Sequence, residues 1–520
     1  MITLFSALGG AIGAVFAISV MLYVAMATPM GPWIETTVAL IALIPLRFLC
    51  KDPLSRMIVL VGTVVGSGIA GIIATACSFS LPAIGFIEQD FFGNALAQPL
   101  SFLLLMAGLV GSGGLLGLSV AQAVRRSMLE QEKLPFPLGS LVYETLVAGE
   151  GLAGSMQLMA GGVIAALCAL CASLVRFLPS MMRVVFNFVR LDIAPIFVAV
   201  GFIAGPSLIL PLVVGVISRY VIIDPFRAYY LPGISAEQFL LSFFTGMVLY
   251  GAFYSIGSAL ISALRSHRKY SLKNWRASLE QYESVPFVAG AAILSIFFFV
   301  WQGLSILAAL LVVSAAILSA QQLALIAGRI GIAPLGRYAT FVMVPALLIF
   351  QVTPLQATLI ATYIEIAGGV TADALFGYKL GMNAQQSNRK ILLFQIVGLL
   401  SAALICGWIL LLLIKAFGLG SPELFALKAR NRAWLITAYS FDWRLIIVGA
   451  LFAVALSILS INPVLVLGGL AMPIDASLML AAGGAATYLF EKPGYWYPLW
   501  SGIFALSSIG MILKALLIIA

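Results

Sequence analysis

Leu134-Pro135-Phe136-Pro137-Leu138-Gly139-Ser140, trailed by Tyr143, Glu144 and Glu150, interrupts a long apolar run. A second polar stretch does the same later in the chain. It runs from Tyr363-Ile364-Glu365 through Gly368-Gly369 to Asp373, Gly377, Tyr378, Lys379 and Gly381. Proline and glycine disrupt helices, and at bilayer depth a disrupted backbone survives only where it faces protein or a water-filled cavity. Carboxylates in such places mark ion or substrate pathways. Two acid-bearing breaks, one per half, point to the binding site of a secondary transporter.

The surrounding composition fixes the class. The chain has 520 residues, 62% hydrophobic and 9% charged, with a mean hydropathy of +1.12. Soluble domains carry about 25% charged residues. Charge-free windows such as 57–87, 91–124, 284–328 and 338–364 each hold one or two spans, since crossing the hydrocarbon takes ~20 apolar residues. No period-two alternation of a β-barrel accompanies them. An all-α polytopic integral membrane protein with about 14–16 spans is expected, and the run Met1 to Ala27 reads as the first span rather than a cleaved signal.

The net charge of +9 resides in loops, so it reports topology and not a nucleic-acid partner. Arg47, Lys51 and Arg56 fall on one side, Glu88 and Asp90 on the other, and Arg125, Arg126 and Lys133 on the first again. The basic stretch 265–284 carries Arg265, Arg268, Lys269, Lys273, Arg276 and the only histidine, His267. It divides the chain into membrane halves 1–264 and 285–520. A cytoplasmic linker and a cytoplasmic N-terminus follow from the positive-inside rule, and the cell (inner) membrane is the expected location. The same count puts Lys415, Lys428, Arg430 and Arg432 outside, a conflict that marks a wrong boundary near 415–444. Trp301-Gln302-Gly303 supplies a turn between two spans. Arg176, Arg183 and Arg190, seven apart, read equally as one face of an interfacial helix or as an ordinary basic loop. Cys168 and Cys171 form a C-x-x-C inside an apolar helix, where packing outweighs redox chemistry.

Glu132-Lys133-Leu134-Pro135-Phe136-Pro137-Leu138-Gly139 with Glu144 resembles the Leu-Pro-Phe-Pro-Ser-Gly segment of the oligopeptide transporter (OPT) family, which includes the yellow stripe-like metal-chelate transporters. Val200-Gly201-Phe202-Ile203-Ala204-Gly205-Pro206, Gly331-Ile332-Ala333-Pro334, Pro354-Leu355-Gln356-Ala357 and Asp373 through Gly381 to Arg389 are similar to further segments of that family. Leu138 stands where the family has a hydroxyl, and Phe376 and Tyr378 flank Gly377 where it is more polar. The resemblance covers most of the chain and implies proton-driven import of peptides or chelated metals.

The site candidates are Glu144, Glu365, Asp373, Tyr143, Tyr363, Gln356 and Lys379, with Gln122 as a further hydrogen-bonding residue. Pro135, Pro137, Gly139, Gly368 and Gly369 are the expected helix breaks. Glu365 is the strongest acid: 27 uncharged residues, 338–364, precede it, and an acid at a helix centre costs ~2.5–3.5 kcal/mol on insertion scales. Asp373 and Lys379 could pair with each other or touch substrate. Glu150 reads as a solvated loop residue, Asp192 as a helix cap, and Glu35, after Pro32-Trp33, as a cap or interface residue rather than a transport residue. No G-x-x-x-x-G-K-[S/T] cradle occurs, and one histidine in a basic loop makes no metal site. No cofactor is expected. The partners expected are a small substrate, protons and the bilayer, and a homodimer is compatible with this reading.

The leading reading is a proton-coupled carrier of small oligopeptides or peptide-like metal chelates working by alternating access. A passive channel or carrier for another small organic solute is the alternative, and a membrane-embedded lipid-modifying enzyme a weaker one.

Overall fold

A computed structural model describes residues 2–27, 34–134, 152–174, 194–230, 285–330, 335–437, 443–471 and 474–500, with isolated positions within 136–146, 239–250, 333 and 502–510. Every regular element among the described residues is helical. In chain order the main helices are α1 (Ile2–Ala27), α2 (Glu35–Leu49), α3 (Pro53–Ser80), α4 (Pro99–Arg125), α5 (Leu152–Leu174), α6 (Ala194–Ala204) and α7 (Ile209–Ile217). They continue as α8 (Val285–Trp301), α9 (Ile306–Ile330), α10 (Leu335–Phe350), α11 (Pro354–Asn383), α12 (Asn388–Phe417) and α13 (Leu427–Ile436). The series ends with α14 (Trp443–Ile458), α15 (Pro463–Ala471) and α16 (Ile474–Ala486). Among the described residues, seven helical stretches are long and apolar enough to cross a membrane.

Burial follows the logic of a bilayer rather than of water. The outer helices present large apolar side chains outward: Phe287 and Phe297 on α8, Leu404 on α12 and Leu451 on α14 are all well exposed. Such a surface suits a lipid environment. The centre is α11, whose most apolar 18-residue window is wholly buried. It is surrounded by α3, α4, α9, α10 and α12.

Local signals explain where these helices begin and end. Asp52 caps α3, its carboxylate accepting from the Ser55 backbone N–H at 2.9 Å and from the Ser55 hydroxyl at 2.5 Å. Those bonds hold the Asp52 carboxyl below the usual carboxylate range, as hydrogen bonding to the charged form does. Thr353 and Gln356 form a capping box at the start of α11, with Pro354 in its first turn. The Trp301-Gln302-Gly303 turn is present: Gly303 has φ +83°, and the Leu304 N–H donates to the Phe299 carbonyl at 3.0 Å.

The second break expected from the sequence is not one. Gly368 and Gly369 lie inside the continuous helix α11. Their role is close approach. A Cβ on Gly368 would overlap the Leu323 side chain of α9, and one on Gly369 would sit 2.8 Å from Ile72 Cγ1 of α3. Two glycines cost a helix about 1 kcal/mol each relative to alanine, and contact on both sides offsets that. Sequence composition reports glycine but not whether it serves a bend or a crossing.

Near 415–444 a helix, α13, carries the basic residues Lys428, Arg430 and Arg432. α12 ends at Phe417, and positive φ at Gly418, Gly420 and Ala426 turns the chain back. The Ala426 N–H donates to the Met26 carbonyl of α1 at 2.7 Å, docking α13 against the bundle. The cations of α13 are therefore not loop residues, and Arg432 is buried.

Away from this centre, short helices cross in reciprocal pairs. Gly201 of α6 abuts the Leu480 carbonyl of α16, while Gly483 abuts the Val198 carbonyl of α6. Gly215 of α7 and Gly469 of α15 repeat the arrangement against the Val466 and Leu212 carbonyls. Each partner gives the other the same contact, as a local two-fold would. The stretch 176–190, the linker 265–284 and Asp192 lie outside the described residues.

Candidate functional site

α11 carries two acids eight residues apart, a separation of about 12 Å along a helix rising 1.5 Å per residue. Their surroundings differ. Glu365, fully buried, receives Arg432 from α13: Nη2 lies 2.7 Å from Oε1. The Ser80 hydroxyl donates to Glu365 Oε2 at 2.6 Å. Arg432 also donates through Nη1 to the Thr340 hydroxyl at 2.8 Å and through Nη2 to the Gly336 carbonyl at 3.3 Å, both on α10. The Lys428 ammonium lies 3.3 Å above the Phe79 ring. Glu365 is thus charge-matched and hydrogen-bonded on both oxygens.

Among the described residues, Asp373 meets no cation. It lies opposite Glu35, at the first position of α2, and both side chains line one cavity. Both reach over Gly68 of α3: a Cβ there would lie 2.8 Å from Asp373 Oδ2 and 3.0 Å from Glu35 Oε1. The outer oxygens, Glu35 Oε2 and Asp373 Oδ1, are buried without a hydrogen-bond partner among the described residues. A water-sized cavity opens beside them, lined by Glu35, Asp373, Val64 and Val65 together with Gly139, Val142, Phe376 and Gly377. Polar walls and room for a water are what a hydrated site needs.

Gly139 and Val142 bring the Leu-Pro-Phe-Pro segment to this cavity. After α4 the chain runs through a π-helix, Arg126–Gln131, and reaches positive φ at Lys133 (+50°) and Phe136 (+41°). The Phe136 N–H, no longer helical, donates to the Gly328 carbonyl of α9 at 2.9 Å. Its ring meets Phe376 edge-on, centroids 5.7 Å apart. A Cβ on Gly139 would lie 2.7 Å from the Phe376 carbonyl oxygen, so only glycine lets the segment press against α11 there. Pro135, Pro137, Glu144 and Glu150 lie outside the described residues. Tyr143 is helical and half-buried, packed against the core.

The other candidates lie outside the cavity lining. Gln356 accepts from the Thr353 N–H at 3.0 Å and donates to the Gln302 carbonyl at 2.9 Å. Its amide ties a helix start to a turn, away from the cavity lining. Tyr363 is fully buried with its ring edge-on to Phe299, centroids 4.9 Å apart. Gln122 donates to the Tyr378 hydroxyl, over whose ring Arg125 lies at 5.4 Å. Lys379 does not pair with Asp373, because six residues turn a helix by about 240°. Its stem packs instead near Gly139. Cys168 and Cys171 are free thiols, the second exposed on the outer face of α5.

Sequence reasoning missed two residues. Arg432 was signalled indirectly by the charge-rule conflict. Glu35 carried no signal, since an acid at a helix start reads first as a cap.

A helical body with a lipid-facing exterior and a buried polar site is a multi-pass membrane transporter in form. The profile described as OPT oligopeptide transporter protein matches residues 2–518, and the chain belongs to that family. Comparison with curated proteins finds no match.

Proposed function

We propose that this protein is a proton-coupled secondary transporter that imports small oligopeptides or peptide-like metal chelates across the cell membrane by alternating access. One observation carries the reading: the segment of Gly139 and Val142 lines the same buried cavity as two carboxyl groups. A non-helical strap against an acid-bearing central helix is a place where proton binding can alter packing. Substrate would bind beside α11 within reach of the strap, with Tyr143 and Lys379 near it. Glu365 would serve by fixing α11 to α13 and α10. The reciprocal glycine crossings of α6 and α7 with α16 and α15 support two similar halves, 1–264 and 285–520, that rock against each other.

The test is uptake into proteoliposomes of di- to pentapeptides and of metal–siderophore-like chelates under an imposed proton gradient. Accumulation above the external concentration, collapsing when the gradient is dissipated, is expected for one of these classes. Flux that only equilibrates, with or without the gradient, would replace the carrier by a channel.

A further inference from the structure

We propose that Glu35 and Asp373 form a shared-proton site, the two carboxyls holding one exchangeable proton between them, and that this pair rather than Glu365 is the proton-loading site of the transporter. The second half of this statement rests on the proposed function; the first stands on its own.

The chemistry starts from proximity. Asp373 Oδ2 and Glu35 Oε1 lie 2.8 Å and 3.0 Å from one point over Gly68, so two ionised carboxylates there would repel in a low dielectric, and one proton held between them removes the repulsion. Among the described residues, nothing else beside the pair would neutralise two charges. Arg432 is bound to Glu365, Lys428 sits over Phe79, and Arg125 lies over Tyr378. Arg56 donates to the Cys50 carbonyl at 3.4 Å near the foot of α3. Lys379 packs its stem by Gly139. Gln395 of α12 is neutral and donates to the Ala374 carbonyl at 3.0 Å, and the titratable Tyr338 of α10 and Cys77 of α3 do not line the cavity. Among the described residues, the N-terminus of α2, at Glu35 itself, adds a further positive influence.

The remaining oxygens make the site exchangeable. Glu35 Oε2 and Asp373 Oδ1 are buried and unpartnered, on residues only 6% and 4% exposed, and both residues line the cavity. A water there can deliver a proton to one oxygen and take it from another. Proton arrival converts two carboxylates into O–H···O⁻, drawing α2 towards α11 across Gly68. Departure leaves two like charges in a medium of low dielectric, which repel. The strap residues Gly139 and Val142, on the far wall, would feel that change directly. Glu365 is unsuited to the task, because protonating it would strand Arg432 without its counter-charge.

The test uses the full chain, purified and reconstituted. Infrared spectroscopy of the wild type across a pH titration is expected to show a protonated-carboxyl stretch that is absent from E35Q/D373N, a variant that introduces no charge and keeps side-chain size. In proteoliposomes the same variant should lose proton-driven accumulation while retaining substrate exchange across the membrane. A protonated-carboxyl band unchanged in E35Q/D373N overturns the shared proton. Undiminished proton-driven accumulation overturns its role in loading. If the wild type itself neither accumulates nor exchanges substrate, the transporter reading falls, and the infrared band still decides the shared proton. Should the double variant fold poorly, the single variants E35Q and D373N, each checked for monodisperse elution, replace it with the same expected and overturning results.

Discussion

Glu365 and Asp373 occupy the same buried helix and the same kind of dielectric, yet their partners make them opposites. Glu365 has a guanidinium at 2.7 Å and a hydroxyl at 2.6 Å. Asp373 has another carboxyl and a cavity. A buried acid with an opposite charge is fixed in one ionisation state by its partner; a buried acid beside a like charge can change state with only a proton. Burial therefore does not identify a proton carrier, because both acids are buried. What distinguishes them is who faces them from the neighbouring helices.

The comparison breaks most violently at the charge-matched site. Replacing Arg432 by Met leaves Glu365 buried and uncompensated, and replacing Glu365 by Ala strands Arg432. Either should destabilise the protein by about 3–5 kcal/mol, the usual cost of breaking a buried pair from one side. Thermal unfolding in detergent, followed by the loss of monodisperse protein, reads this directly. The joint variant E365Q/R432M removes both charges and should recover most of the loss. If R432M alone unfolds at the wild-type temperature, the pair does not hold α13 in place.

Gly68→Ala attacks the other site sterically. The new methyl would intrude at 2.8 Å and 3.0 Å on the two carboxylate oxygens, closer than a Cβ tolerates. Overpacking of this kind costs about 1–3 kcal/mol. The expected result is a moderate fall in unfolding temperature together with a change in the pH dependence of uptake. A fall in stability with an unaltered pH profile would mean that the spacing of the carboxyls is irrelevant to proton loading.

How much of this could be read in the sequence follows from what each signal encodes. Apolar runs report helices directly, so α1, α3, α4 and α12 fall where hydropathy places them. The Phe136 break was legible because proline constrains the backbone wherever it stands. Gly368 and Gly369 were misread because glycine serves bends and close crossings alike, and only Leu323 and Ile72, distant in sequence, decide between them. Asp373 was visible as an acid in an apolar setting. Its partner was not, since Glu35 is 338 positions away and looks like a helix start. The charges of α13 carried a readable contradiction without its resolution: nothing local says that an arginine near a basic cluster will turn inward to an acid on another helix.

A smaller effect tests whether the start of α11 matters to either site. Thr353→Ala removes the hydroxyl that accepts from the Gln356 N–H at 3.3 Å. Loss of an N-cap costs about 1 kcal/mol. A slight fall in unfolding temperature with unchanged uptake is expected, since Gln356 serves the cap and the turn at Gln302 rather than the cavity. A change in substrate selectivity in Gln356→Ala would return that residue to the binding site.

The smallest change in stability should come from the variant with the largest effect on proton-driven accumulation. In E35Q/D373N both groups keep their size, and an amide can donate where the shared proton did. No charge is stranded, because no cation among the described residues faces the pair. Replacing both partners of a buried interaction by groups of the same shape is close to neutral, so the unfolding free energy should move by less than about 1 kcal/mol. Set against the several kcal/mol expected for R432M, this difference separates an acid that holds the helices together from an acid that answers to protons. Equal losses of stability at the two sites, measured by thermal unfolding under the same detergent and pH, would erase the distinction and make Asp373 a structural acid like Glu365.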